Sequence, residues 1–169
     1  MYSGTGTVSD EYIRYILETY SAQIIRLCYT YVKNKEDAED IAQDVFLELM
    51  RRNQPFEDAD YEKAWLMRTA VNKCKNLLKS SRVKRTVPLE DEYTDNDSNP
   101  ENQKEDNAVR DAVLALPEKY RTVVHLFYFS GMSIKEIAVV TGVNTATVGT
   151  RLARGREQLK KILKGEIDL

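Results

Sequence analysis

Thr147, Thr150, Arg151 and Arg154 recur at i, i+3, i+4 and i+7, so they share one face of any helix that contains them. Hydroxyl and guanidinium groups on such a face can hydrogen-bond base edges and phosphates. Ahead of them, Ser133 and Glu136 have the spacing of a capping box, which pairs two otherwise unsatisfied backbone donors. Ile134, Ile137, Ala138 and Val140 give the helix that starts there a short apolar face, and Gly142 marks a left-handed stop. Asn144 then caps a second helix, in which Val148, Leu152, Leu159, Ile162 and Leu163 fall on one stripe. The stretch from Ser133 to Leu163 therefore reads as a helix-turn-helix with a basic helical tail, its second helix presented to a DNA major groove. Residues 143–164 hold six Lys or Arg against one Glu, a local charge of +5. Two ordinary amphipathic helices joined by a tight turn are the alternative reading of the same pattern.

The rest of the chain must position that motif. No strand pattern is present, and the predicted fold is all-α: two small helical domains joined by a flexible acidic linker. Ile13, Ile16, Leu17, Tyr20, Ile24, Leu27, Cys28 and Tyr31 trace one long apolar stripe. Asn34 can cap a second helix with Glu36 and Asp37 in its positively polarised first turn, and Ala38, Ile41, Ala42, Val45, Phe46 and Leu49 as its apolar positions. Residues 53–60 form a loop. A third helix starts near Tyr61, with Leu66, Met67, Ala70, Val71, Cys74, Leu77 and Leu78 as core candidates. Residues 86–106 hold two prolines, many acids and little to bury, and read as a tether. Helical spacing resumes with Val109, Ala112, Val113 and Leu116. Pro117 opens a further helix through Tyr120, Val123, Val124 and Phe127 to a stop at Gly131. The domains are thus expected at residues 9–85 and 107–165.

A net charge of −2 argues against a general nucleic-acid binder, but the charge is distributed in blocks. Residues 33–60 net −5, residues 61–85 net +7 and residues 86–106 net −7, which suggests different partners for different segments. No apolar run approaches the ~18 residues of a membrane span, and the polar N-terminus is not a signal peptide, so a cytoplasmic protein is expected. Cys28 and Cys74 lie among apolar helix positions and read as buried thiols rather than a disulfide or metal site. His125 stands alone on an apolar helix and reads as a core histidine. With no nucleophile motif, no phosphate loop and no ligand cluster, neither catalysis nor a cofactor or metal is expected.

Three motifs in order resemble one family. DAEDIAQDVFLELMRR (residues 37–52) resembles the polymerase-binding helix of bacterial sigma factors, and AWLMRTAVNKCKNLLKSSR (64–82) their promoter-melting and −10-reading helix. LPEKYRTVVHLFYFSGMSIKEIA with TVGTRLARGREQLK (within 116–160) resembles their −35-reading domain. The size and the missing intermediate domains match the extracytoplasmic-function (ECF, group 4) subfamily of the sigma-70 family.

The resemblance implies an alternative sigma factor that binds core RNA polymerase and directs promoter recognition, melting and initiation. Asp37, Asp40, Gln43, Asp44, Phe46 and Glu48 would dock on the polymerase, at the beta-prime clamp helices, with the beta subunit as a further contact; Phe46 could equally be core. Phe56 and Tyr61 fall where the family captures unstacked bases, while Arg68, Asn72, Lys73, Lys75, Asn76 and Lys79 supply donors for −10 DNA, extended by Arg82, Lys84 and Arg85. Trp65 matches a family tryptophan but, beside Leu66 and Met67, reads as packing in the core. Asn144, Thr147, Thr150, Arg151, Arg154 and Arg156 would meet the −35 element. An anti-sigma partner is implied, as is an acidic linker that threads a basic channel of the enzyme. The chain departs from the pattern at Gly149, where a basic residue is common, and at Gly155, where alanine is. A two-domain helix-turn-helix regulator that does not engage polymerase would explain the C-terminal half equally well but leave the acidic second helix and basic third helix unexplained, and in a helical adaptor neither basic segment would touch DNA.

Overall fold

The computed structural model describes residues 9–52, 54–81 and 100–165, and among these every regular element is helical. They divide into two compact units, one containing α1–α3 and the other α4, α5, α7 and most of α6. Helix α1 (Asp10–Val32) starts where Ser9 accepts from the Tyr12 N–H and ends at Lys33, whose left-handed backbone (φ 55°) turns its N–H back to Tyr29. Helix α2 (Lys35–Arg52) is capped by Asn34, whose side-chain oxygen accepts from the Asp37 N–H at 2.9 Å. Glu36 and Asp37 sit in its first turn and Arg51 and Arg52 in its last, each complementing the helix dipole. In the same way Asp58 accepts from the Tyr61 N–H at 2.7 Å and starts α3 (Ala59–Ser81).

Both α2 and α3 pack on α1. All six apolar positions read for α2 are buried, as are Leu66, Met67, Ala70, Val71 and Cys74 of α3, while Leu77 and Leu78 are half-buried. Six of the eight positions expected on the α1 stripe, Ile16, Tyr20, Ile24, Leu27, Cys28 and Tyr31, are buried, and only its start differs. Tyr12, Ile16, Tyr20 and Ile24 face inward, Leu17 is exposed and Ile13 half-exposed. The reason is polar: the Tyr12 hydroxyl donates to the buried Glu62 carboxylate at 2.7 Å, a bond that a stripe chosen for apolarity alone does not anticipate. Cys28 and Cys74 are buried free thiols.

In the second unit α4 (Pro100–Ala115) begins inside the stretch expected to be linker. Pro100 and the Glu, Gln and Lys that follow are good first-turn and helix-interior residues although their sequence has no apolar stripe. The remaining tether positions, 86–99, lie outside the described residues. Helix α5 (Glu118–Tyr128) starts after Pro117 and brings in Arg121, whose buried guanidinium donates to the Leu116 carbonyl at 3.3 Å at the end of α4. Helices α6 (Ile134–Thr141) and α7 (Thr145–Leu163) form the helix-turn-helix. Its start and turn match the reading: Ser133 and Glu136 make the reciprocal capping box, Gly142 is left-handed (φ 77°), and Asn144 accepts from the Thr147 N–H. On α7, Val148 and Leu152 are buried, Leu159 and Ile162 half-buried, and Leu163 exposed.

The two glycines of α7 have opposite surroundings. A Cβ on Gly155 would lie 2.7 Å from Val124 Cγ2 and 3.5 Å from Tyr120 Cβ on α5, whereas one on Gly149 would meet nothing within 4 Å. Gly155 is thus required for the close approach of α7 to α5. Gly155→Ala is expected to destabilise the C-terminal unit by about 1–2 kcal/mol, overpacking exceeding the gain in helix propensity. Gly149→Ala should stabilise it by about 1 kcal/mol. Thermal unfolding of the full chain, with amide exchange in α5 and α7, checks both signs; the same sign at both would refute the close contact.

Burial, the bond to Glu62 and its charge raise the Tyr12 hydroxyl well above its ordinary value, and burial with the Glu62 charge pushes Tyr20 up to about 12. A tyrosine pKa raised by folding contributes stability that is complete below the ordinary value of 10.0 and lost as pH rises through the folded one. The N-terminal unit should therefore weaken from about pH 10 upward, and Tyr12→Phe should flatten that decline in a pH series of unfolding curves.

Candidate nucleic-acid interface

Burying one stripe of α2 turns another outward. Asp40, Gln43 and Asp44 are exposed, and Asp37 is half-buried near the helix start. Phe46 is not on this surface: at 7 % exposure it is part of the core, because it continues the buried stripe of Ala42 and Val45. Glu48 is half-buried and pairs with Lys73 of α3 at 3.3 Å, so it links the two helices. Leu47 and Met50 are exposed and extend the acidic stripe with apolar surface. Both were missed, since an exposed Leu or Met has no mark in sequence that separates it from a core one.

On α3, Arg68, Asn72, Asn76 and Lys79 share one exposed face, and Lys75 is half-buried beside it. Lys73 leaves that set, its ammonium being drawn toward α2 by Glu48. Arg82, Lys84 and Arg85 lie outside the described residues. At the α2–α3 junction the expected pair of aromatics is a trio. The Phe56 ring lies 5.6 Å from Tyr61, edge-on, and 5.6 Å from Trp65. Trp65 is half-buried here rather than in the core, because four residues after Tyr61 it faces the junction while Leu66 and Met67 face inward. The Arg52 guanidinium covers the cluster, 4.3 Å from the Phe56 centroid.

On α7 the four residues singled out by spacing come together. Thr147, Thr150, Arg151 and Arg154 line one concave site with Ala146 and with Lys119 and Tyr120 of α5. The hydrogen bond from Arg154 lowers the Tyr120 hydroxyl below the ordinary tyrosine value against the opposing effect of burial, and the nearby Lys119 charge adds to it. Lys119 also sits over the Tyr120 ring at 5.0 Å. The site is thus a cationic hollow rimmed by hydroxyls, suited to a phosphate and the base edges beside it. Lys119 and Tyr120 were not legible as site residues, because only the α5–α7 packing brings them to α7. Asn144 acts through its capping oxygen, and the Thr150 hydroxyl donates back to the Ala146 carbonyl at 3.1 Å. Arg156 does not join the hollow. It lies about 200° around the helix from Arg154, and its guanidinium sits 5.7 Å from the Phe127 ring and 5.8 Å from that of Tyr128. His125 is buried and stacks on Phe129 at 5.4 Å. Among the described residues no group of three or more His, Cys, Asp or Glu could hold a metal ion.

Residues 16–83 match the family of sigma-70 region 2, and residues 106–159 match sigma-70 region 4. The ECF RNA polymerase sigma factor SigW of Bacillus subtilis (strain 168) is 31 % identical over 88 % of this chain and 87 % of its own length. The chain belongs to the sigma-70 family of ECF sigma factors. The ECF RNA polymerase sigma factor SigM of Mycobacterium tuberculosis (strain ATCC 25618 / H37Rv) is 32 % identical, covering 88 % of this chain and 75 % of that one. Similar folds include the sigma factor RpoE of Bartonella quintana, solved with the anti-sigma factor NepR (TM-score 0.72, 20 % identity, 92 % and 98 % covered). CnrH, solved with the cytosolic domain of CnrY, has a TM-score of 0.68 at 21 % identity, covering 94 % of this chain and 92 % of that one. As an ECF sigma factor the protein is an alternative sigma factor that directs transcription initiation. Among the described residues no helix is long and apolar enough to cross a membrane.

In this sigma factor Tyr120 should ionise before an ordinary tyrosine in a spectroscopic pH titration, and Arg154→Gln should move it back upward. An unmoved titration would show that the hydroxyl does not face the guanidinium.

Proposed function

We propose that the two units divide promoter recognition between them, with residues 9–85 binding core RNA polymerase and the −10 element and residues 107–165 binding the −35 element. The observation that carries this reading is the N-terminal unit's pair of unlike surfaces: an acidic α2 stripe and a basic α3 face edged by aromatics. Asp40, Gln43 and Asp44, with Leu47 and Met50 beyond them, dock on the beta-prime clamp helices, where charge complementarity orients the encounter. Phe56, Tyr61 and Trp65 stack on unpaired bases of the opened strand, while Arg68, Asn72, Asn76 and Lys79 hold its phosphates. The hollow formed by Thr147, Thr150, Arg151 and Arg154 with Lys119 and Tyr120 meets the −35 duplex. The protein works in the cytoplasm, catalyses nothing itself, and is held inactive by an anti-sigma partner; the similar RpoE of Bartonella quintana, solved with the anti-sigma factor NepR, supports that last part.

Run-off transcription by core polymerase should depend on adding this chain. Asp40→Ala with Asp44→Ala should raise the Kd for core about tenfold, mainly through slower association at low salt. Arg151→Ala or Arg154→Ala should each weaken −35 binding by about 1–3 kcal/mol and leave core affinity unchanged. Exchanged effects would overturn the division of labour. Intact DNA binding without retention by core would instead favour a regulator that does not engage polymerase.

A further inference from the structure

The junction between α2 and α3 contains a cation that base stacking alone does not call for. The Arg52 Cζ lies 4.3 Å from the centroid of Phe56, 5.6 Å from that of Trp65 and 5.7 Å from that of Tyr61. Its Nε is buried and has no hydrogen-bond partner among the described residues. Phe56 follows Pro55 in the non-helical connection, so no helix fixes its ring. What holds it are an edge-on contact with Tyr61, the tilted ring of Trp65 and the guanidinium over its face.

We propose that Arg52 is the positioning residue of this site. Its planar guanidinium lies over the Phe56 face and, with Tyr61 and Trp65 around that ring, holds the cluster in place as a ready stacking platform for an incoming unstacked base. A guanidinium suits this task because it is flat, stacks on rings and is weakly hydrated, whereas an ammonium is a compact, strongly hydrated charge. The inference rests on the reading of Phe56 and Tyr61 as base-capturing residues.

The test uses holoenzyme assembled from the full chain with the single variants Arg52→Gln and Arg52→Lys, and measures promoter opening by permanganate reactivity. Duplex templates are compared with templates already melted over the −10 region, and with a series carrying one abasic site at each non-template position. Arg52→Gln should slow opening of duplex DNA about tenfold, on the scale of losing one base–aromatic stack. Arg52→Lys should restore part of the rate. Neither variant should change core affinity, and the pre-melted template should erase the difference from the unaltered protein. At one position the abasic site and Arg52→Gln should together do no more harm than either alone. An Arg52→Gln protein that opens duplex normally, or is equally slow on pre-melted DNA, would overturn the inference, as would a defect additive at every abasic position. Phe56→Ala and Tyr61→Ala separate the two levels. If they leave opening unchanged, the base-capture reading itself fails; if they slow it and Arg52→Gln does not, only the role of Arg52 fails.

Discussion

Burial of Ala38, Ile41, Ala42, Val45, Phe46 and Leu49 leaves the other residues of α2 no freedom of direction. With 3.6 residues per turn, a helix that packs this stripe inward must turn Asp40, Gln43, Asp44 and Leu47 outward. The same holds for α3, where Leu66, Met67, Ala70, Val71 and Cys74 inside dictate Arg68, Asn72, Asn76 and Lys79 outside. Magnitudes decide which set governs the fold. A fully buried Leu, Ile or Met contributes about 1.5–3 kcal/mol, whereas exposed i,i+4 ion pairs such as Lys35–Glu39 and Lys161–Glu157 contribute roughly 0.3–0.5 kcal/mol. Core residues therefore orient the helices, and the charged faces can be matched to partners with little effect on folding.

In the C-terminal unit the corresponding constraint is a missing side chain. Glycine is a weak helix former, and two of them in α7 look like a softened recognition helix. At Gly155 the structure gives a different meaning. Absence of a Cβ lets α7 settle onto Val124 and Tyr120, and that approach brings Lys119 and Tyr120 beside Arg151 and Arg154. The composite hollow exists because the two helices are close. Gly149 has no such neighbour, so its effect on the helix is that of propensity alone.

Several helix ends were legible because caps are local chemistry: Asn34, Ser133 with Glu136, Gly142 and Asn144 each act within four residues of themselves. The core of α2 and most of that of α3 were legible because period alone fixes a face. What the spacing could not show is which neighbour arrives at that face. Phe46 could be read either as core or as binding surface and packs inward, and Trp65 was placed inward although the Phe56 loop meets it outside. Lys73 and Arg156 sat on basic faces in sequence, yet Glu48 and the aromatic end of α5 claim them. Tyr12 displaced Ile13 because the buried Glu62 needed a donor. The start of α4 at Pro100 was hidden for the opposite reason, since its first turns have no stripe to read.

The acidic stripe and the aromatic cluster are joined by one rigid element. Asp44 and Arg52 lie on the same helix, eight residues and therefore about 12 Å apart along its axis. A partner that grips the stripe thereby fixes the direction from which Arg52 reaches the rings of Phe56, Tyr61 and Trp65. The Glu48–Lys73 pair ties the same helix to α3, which carries Tyr61, Trp65 and the basic face. A single half-buried ion pair is too weak to act as a switch, and a continuous helix has no second state for a ligand to select. On the proposed division of roles, what passes from the acidic stripe to the aromatic cluster is therefore placement. The partner would aim a platform that α1, α2 and α3 have already built, and opening the DNA would then depend on the energy of base stacking and phosphate contact rather than on a rearrangement of this unit.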